Sequence, residues 1–504
     1  MRTYIRRSLL LLLASAAFIA PIVMALQVST WYRCCPAHGT RASAQQVPDV
    51  QPVAVIPGSS AASRVLVLME EPWIPDMEAA AQWLGTSLAS RDWYLADSMA
   101  RSLFAQGSFL SRIGPMGILS DRERQGVRHY WIVNAMGLNA TEEEIAVLRK
   151  LPGVRGVVPD ETVDLIEPNI RLFPGSSDAR SGEDGDGFTY GLKLMRIPEF
   201  RAAYPQIDGR GVTIGQIDTG ILPTHEQFAG KQILFRSFVD DTTLANDENG
   251  HGTHISGTIF GSNVVEPAIG MAPGVTKVYV AKVFTARGGA TVGTLLDAME
   301  WMADPNGDGS TADAPRLVSN SWGGPGGRET FRAAVQNWVR LGVFPVFAAG
   351  NSGPRAGTVG VPGGYPEALA VGAVDSGNKV ASFSSRGPAR YDGKDFIKPD
   401  VSAPGVGVLS AWIPKPGSGQ DDPDRNKNYR SISGTSMATP HVAGALTLLL
   451  QAKPDLTVEQ ARELIESSTR PVQGAREKNN DSGTGLLDMV LLFDNLKARF
   501  PASP

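Results

Sequence analysis

Three residues of this 504-residue chain stand in settings from which they could hydrolyse an amide. Asp218 closes the apolar run of IGQIDTGI, His251 sits between two glycines in NGHGTHISGT, and Ser436 lies in SGTSMATPHVAGALTLLL. Amide hydrolysis near neutral pH needs an activated nucleophile, a base that can return the proton to the leaving amine, and donors for the oxyanion. Ser436 offers the hydroxyl, His251 the base, and Asp218 a carboxylate to orient the imidazole. The oxyanion donors would be the backbone amide of Ser436 and the side-chain amide of Asn351 in FAAGNSG. The histidines also invite a metal reading, because His251 and His254 are three apart. Yet the third ligand and the nearby carboxylate of an HExxH pattern are missing. His254 is therefore read as structural, and His441, on the serine's own helix, as a packing residue. Taken singly, IDTG also fits a loop aspartate, and Asn351 a turn former.

These groups must be held in place. From Tyr190 onward, apolar runs at 212–217, 278–283, 317–319, 343–348 and 368–374 alternate with helical patterns at 253–260, 292–302 and 329–341, and two more helices follow at 435–451 and 458–467. Near-continuous apolar strands separated by helices predict an α/β fold, a parallel sheet with helices on both faces. Asp218 would then stand at the C-terminal edge of a strand, where sites of such sheets usually lie. Ser436 would open a helix, with its amide and the positive end of the helix dipole turned toward a developing oxyanion. Pro440 is placed in that helix's first turn, where an amide needs no partner.

A smaller α+β unit precedes this sheet. It reads as a strand at 64–68, an Ala-rich amphipathic helical stretch over 76–105, a strand over 130–138, a helix opened by Thr141 with Glu144 in capping-box spacing, and a strand at 154–158. Residues 40–63 and 170–188 read as linkers, and linkers are easily nicked. A cut separating the two units is expected between about Leu165 and Tyr190.

IDTG, HGTH and GTSMATPH, in that order and accompanied by AAGN and SFSSRGP, resemble the subtilase family of subtilisin-like serine proteases, peptidase family S8. The likeness covers about residues 190–490. It implies a subtilisin-like catalytic domain over 190–495 and a serine endopeptidase working through an acyl-enzyme. In that implied scheme Asp218 orients His251, His251 takes the proton of Ser436, and the amides of Ser436 and Asn351 hold the oxyanion. It further implies that Ser321, Trp322, Gly323 and Gly324 pair with an extended substrate, and that Gly360 floors a primary pocket with room for large apolar residues. The run YWIVNAMGLNATEEEIAVLRKLPGVRGVVPDETVDL resembles the I9-type inhibitory propeptides that precede many such enzymes. By that resemblance, residues 63–168 assist folding, lay their C-terminal tail in the substrate groove and are then cut away. An independent accessory α+β domain is the alternative.

Composition bounds the rest. A formal net charge of −4, from 47 basic and 51 acidic residues without a block of one sign, leaves no footprint for nucleic acid. The two cysteines, Cys34 and Cys35, are adjacent and can build neither a disulfide framework nor a thiolate metal site. Arg2, Arg6 and Arg7 precede an 18-residue apolar run over 9–26, so residues 1–44 read as an export signal plus linker. Cleavage, giving a secreted protein, and retention as an N-terminal membrane anchor are both open. No cofactor is expected for catalysis, and protein or peptide substrates and the chain's own propeptide are the expected partners. In DPNGDGSTAD, Asp304, Asn306, Asp308 and Asp313 resemble the oxygen ligands of an EF-type calcium loop, although Pro315 stands where the closing glutamate would be. The rival functions are a membrane-tethered processing protease of narrow range, a catalytically silent scaffold, and a metal-dependent hydrolase.

Overall fold

A computed structural model of the chain describes residues 62–70, 88–113, 126–166, 187–414, 428–473, 475 and 477–501. The segment expected to direct export, 1–44, lies outside them, as do most of both linkers and the early part of the expected helix at 76–105.

The first described part is a four-stranded antiparallel sheet in the order β2-β3-β1-β4, built from β1 (Ser63–Met69), β2 (Arg128–Tyr130), β3 (Ala135–Ala140) and β4 (Val154–Pro159). Two helices accompany it, α1 (Leu88–Ile113) and α2 (Glu142–Leu148). The capping box at α2 is present: the Thr141 hydroxyl accepts from the amide of Glu144, whose carboxylate accepts from the Thr141 amide at 2.7 Å. The strand expected over 130–138 is broken by a 3-10 turn at Trp131–Val133 and by Asn134 in the left-handed region, φ 48°. The turn is stabilised from outside, since Ile132 donates its amide to Glu300 at 3.0 Å and its carbonyl accepts from Asn337 at 2.8 Å. A last short strand, β5 (Thr162–Asp164), leaves this sheet and pairs antiparallel with β9 (Gly289–Thr291).

The large sheet has nine strands in the order β18-β19-β15-β12-β11-β10-β6-β8-β7. Its centre is β6 (Ile214–Asp218), β8 (Lys277–Lys282), β10 (Leu317–Asn320), β11 (Phe344–Ala348) and β12 (Leu369–Val374), all parallel. On one side lies the edge strand β7 (Gln232–Ser237), on the other β15 (Val401–Pro404), β19 (Leu486–Leu487) and β18 (Thr469–Arg470), of which only the β18–β19 pair is antiparallel. Apart from this sheet, β13 (Ala389–Tyr391) pairs antiparallel with β14 (Lys394–Phe396), and β16 (Val408–Ala411) with β17 (Tyr429–Ile432).

Successive residues of a strand face opposite sides of a sheet, so a strand covered on both sides must be apolar throughout. The buried side chains sort accordingly. Ile214, Val278, Val280, Leu317 and Val346 enter one core with Ile255 and Ile259 of α3 (His251–Phe260) and Met437 and Val442 of α6 (Thr435–Ala452). Ile217, Tyr279, Ala281, Val318 and Phe347 enter the other, with Leu295, Met299, Val335 and Trp338 of α4 (Val292–Ala303) and α5 (Arg332–Arg340). Each such side chain removed from water contributes about 1.5–3 kcal/mol. The second core is shared: Leu66, Leu95, Tyr130, Ile132 and Leu165 of the preceding unit complete it. At the far end α7 (Val458–Ser467) is followed by α8 (Met489–Arg499), which buries Leu492, Phe493 and Leu496 and carries the packed chain past residue 495.

Candidate active site

Asp218 is the last residue of β6, at the C-terminal edge of the sheet, and its carbonyl accepts from the amide of Val283 at 2.9 Å. Its Oδ1 accepts from the Thr219 amide at 2.8 Å and lies 2.7 Å from Nδ1 of His251, the first residue of α3. Both side chains are buried. A carboxylate facing Nδ1 fixes the proton there and leaves Nε2 as the acceptor. His251 Nε2 is itself buried without a hydrogen-bond partner.

Two glycines let the elements approach. A Cβ on Gly252 would come within 2.2 Å of the Gly220 carbonyl, and one on Gly220, at φ 115°, within 2.0 Å of the Asn246 carbonyl. A residue that the motifs did not single out ties the two together. Asp247 Oδ1 accepts from the Thr219 hydroxyl at 3.0 Å and from the amides of Asn249 and Gly250 at 3.0 and 2.9 Å, while Oδ2 accepts from the amide and hydroxyl of Thr253 at 2.9 and 2.7 Å. One buried carboxylate thus caps the histidine's helix and grips the turn after Asp218. Its only signal in the sequence is an acid four residues before His251, which otherwise reads as a turn residue.

His254 lies one turn into α3 with Nε2 2.9 Å from the carbonyl of Val408, and burial pulls its pKa down to about 3. His441 is likewise buried, with Nδ1 2.8 Å from the Met437 carbonyl and its pKa lowered by burial to about 4. Neither imidazole is turned toward the His251–Asp218 pair by these bonds.

Ser436 is the second residue of α6, after the N-cap Gly434. Pro440 proves to lie inside this helix rather than in its first turn. A proline there deprives the carbonyl four residues back of its amide partner. That carbonyl belongs to Ser436, and it accepts instead from the Ser321 hydroxyl at 3.1 Å, so the serine's peptide is held by the end of β10. Asn351 follows β11. Its Oδ1 accepts from the amide and the hydroxyl of Thr435, both at 2.9 Å, and this commitment of the acceptor end identifies Nδ2 as the donor.

The Ser436 hydroxyl donates to the carbonyl of Ile166 at 3.0 Å. The chain's own segment reaches the serine as an extended strand paired on one side, with a single bridge beyond it. Thr162, Val163 and Asp164 pair with β9, and Leu165 bridges antiparallel to Trp322. The Trp322 ring is fully buried in the core against Phe331 and Phe347. Ile166, Gly323, Gly324, Asn351 and Gly360 line a cavity of 380 Å³. Gly360 is required there for close approach more than for room: a Cβ would come within 2.5 Å of the Gly324 carbonyl, which accepts from the neighbouring Val361 amide.

Residues 209–486, more than half of the chain, match the model of the subtilase family. The chain belongs to the subtilase family. This subtilase is 32% identical to Bacillopeptidase F of Bacillus subtilis over 403 residues, 74% of the chain but 26% of that longer relative. It is 34% identical to Subtilisin DY of Bacillus licheniformis over 281 residues, 55% of the chain and 90% of the relative. The crystal structure of fervidolysin from Fervidobacterium pennivorans, a keratinolytic enzyme related to subtilisin, shares its fold. The TM-score is 0.60 at 22% identity, over 87% of this chain and 62% of that one. The subtilase is accordingly a serine endopeptidase of the subtilisin-like α/β fold, acting on protein substrates, and the family's chemical step needs no cofactor.

Away from the cleft, Asp304, Asp308 and Asp313 each bring a carboxylate oxygen within 4.8 Å of the others. Burial raises the pKa of both Asp304 and Asp313; backbone amides, those of Gly309 and Gly307 at Asp304, pull the other way, and the nearby Asp308 charge adds to the rise. Asn306 lies beside them in the loop: its Oδ1 accepts from the Asp308 amide at 2.9 Å and its Nδ2 donates to the Asp308 carboxylate at 3.0 Å. Among the described residues no helix is long and apolar enough to cross a membrane, and the apolar run at 9–26 lies outside them.

Proposed function

We propose that this subtilase is made as a silent precursor that cuts itself after Ile166, and that Asp218, His251 and Ser436 perform both this cut and the later hydrolysis of substrates. The observation that carries the reading is the contact between the Ser436 hydroxyl and the Ile166 carbonyl at 3.0 Å, with the residues before it paired as an extended substrate would be. Attack by Oγ on that carbonyl carbon forms a tetrahedral oxyanion while His251 Nε2 accepts the proton. His251⁺ then returns the proton to the amide nitrogen of Glu167 as the C–N bond breaks, leaving Ile166 as an acyl ester that water hydrolyses. Asp218 stays ionised and holds the imidazolium in place. The Ser436 amide at the start of α6 and Asn351 Nδ2 stabilise the oxyanion. Residues 62–166, still packed over α4 and α5, then act as an inhibitor until they leave.

The same reading assigns Ser321 to Gly324 and Gly360 to substrate binding, with an aliphatic residue such as Ile166 in the pocket. Three convergent carboxylates suit a hard cation, and Asp304, Asp308 and Asp313, with Asn306 beside them in the loop, would hold a structural calcium ion. The basic and apolar N-terminus supports export, with secretion or anchoring decided by whether residues 1–44 are removed. The test is to express the precursor beside its Ser436→Ala form and follow chain mass and casein hydrolysis. Only the wild type should shorten, to a chain starting at Glu167, and digest casein. Equal shortening in both would assign the cut to another protease, and casein digestion by the alanine form would remove Ser436 from the mechanism.

A further inference from the structure

Helix α1 behaves differently along its length. From Ser102 onward it bonds within its own unit: Ser102 donates to Asn134 at 3.1 Å, and Gln106 bonds Ser102 and His129, each at 2.6 Å. Its early turns reach the catalytic domain instead. Asp92 accepts from the amide and hydroxyl of Thr311 at 2.6 and 2.8 Å and from the hydroxyl of Ser310 at 3.3 Å. Tyr94 donates to Asn337 at 2.7 Å and accepts from Arg340 at 3.0 Å. Arg91 lies over Gly342, where a Cβ would come within 2.4 Å of its guanidinium carbon, and Leu95 is fully buried in the second core. The receiving groups come from the DPNGDGSTAD loop and the end of α5, and none of them lines the cavity beside Ser436.

We propose that the loop 304–313 and the C-terminal end of α5 form a docking site for the early turns of the propeptide helix, and that this contact sets how long the enzyme stays silent after the bond following Ile166 is cut. The inference rests on the inhibitory-propeptide reading above. The chemistry of recognition is a carboxylate met by one amide and two hydroxyl donors, with a phenol shared between an amide and a guanidinium two residues on. The physical argument is one of competition. A cut tail in the cleft is held by three strand pairs and one bridge, and any extended substrate competes for the same backbone groups. Substrate does not compete for Thr311, Ser310, Asn337 or Arg340. While α1 stays docked, a tail that slips out returns as an intramolecular ligand at high effective concentration, so inhibition outlasts the cut.

The experiment uses full-length precursors: wild type, Asp92→Ala, Thr311→Val and the double variant. Chain mass gives the time of cutting, and hydrolysis of a short chromogenic peptide gives the onset of activity. Cutting should proceed at the wild-type rate in all four. The interval from cutting to activity should shorten about ten-fold in Asp92→Ala and less in Thr311→Val, with little further change in the double variant, since both remove one contact. Normal cutting with an unchanged interval overturns the docking site and leaves the inhibitory tail standing. A wild type that is active as soon as it is cut overturns the inhibitory reading and this inference together. Should Asp92→Ala fail to fold, Thr311→Val, which keeps the shape of its side chain, decides the question.

Discussion

Replacing Asp247 by Asn tests whether the geometry of the charge pair is set from outside it. The carboxylate takes five donors, three on Oδ1 and two on Oδ2. An amide is the same size but can accept at one end only, so its NH₂ must face either the Thr219–Asn249–Gly250 donors or the two donors of Thr253. At least one bond to the charged acceptor, worth about 1.5–3 kcal/mol, becomes a donor-against-donor contact, since of the two Thr253 donors only the hydroxyl can turn to accept, and the remaining bonds lose their charged partner. Allowing for the bonds that the amide oxygen retains, a loss of about 3 kcal/mol of stability is expected. It should be measured by urea unfolding of Asp247→Asn in a Ser436→Ala background, which prevents self-digestion. In the active chain, displacement of α3 from the Asp218 turn should lower kcat by roughly 10- to 100-fold, since shifts near 1 Å cost about that much. KM should change little, because Asp247 lines no part of the cavity beside Ser436. A stability change under about 0.5 kcal/mol, the range of an ordinary surface substitution, together with an unchanged kcat would refute the reasoning.

Asn351→Ala should lower kcat by about 100- to 1000-fold with KM nearly constant, the scale known for an oxyanion donor of this kind in subtilisin; a loss below five-fold would take that role from it. Glu300 is pushed up to about 8 beneath the turn at Trp131–Val133, chiefly by burial, with the Ile132 amide pulling the other way and Asp297 adding to the rise. The covered state therefore holds the proton more tightly, so the propeptide binds best near or below the ordinary glutamate pKa of about 4.3 and is progressively loosened as pH rises toward 8. Discounted for partial exposure, the onset of activity after cutting should come about ten-fold sooner at pH 8 than at pH 5. Glu300→Gln should remove that difference, and an equal slope in the variant would exclude Glu300 as its source. Chelation should lower the Tm of the Ser436→Ala precursor by a few degrees, on the order of 2–3 kcal/mol of lost linkage, and Asp308→Asn should abolish the response; a Tm indifferent to chelator would dismiss the calcium site.

Much of this was readable because burial on two faces leaves a strong mark. Strands such as Lys277–Lys282 and Leu369–Val374 must be apolar at nearly every position, and the expected runs lie within a residue or two of the observed ones. The edge strand Gln232–Ser237 carries polar residues on its open side and showed no such run. Val401–Pro404 and Leu486–Leu487 are too short to show a period. Asp218, His251 and Ser436 stood out because glycines and small residues surround each of them. Asp247, Thr311 and Asp92 did not, because a carboxylate or hydroxyl that gathers backbone donors looks in sequence like any turn or surface residue. The placement of Pro440 failed for a related reason. A proline within a helix is tolerated when something else takes the orphaned carbonyl, and here that partner is Ser321, 115 residues away.

The second core belongs to two owners. Leu66, Tyr130, Ile132 and Leu165 close over side chains of α4 and α5, and on the precursor reading proposed above the working enzyme later does without that cover. On that reading the polypeptide that folds and the one that hydrolyses are different molecules, and the step between them discards part of the apolar surface that made folding favourable. On the same reading a mature chain, once unfolded, lacks the template it folded against. Its durability in use is therefore a matter of how slowly it opens, a half-life rather than an equilibrium, and heat would end its activity by a one-way route.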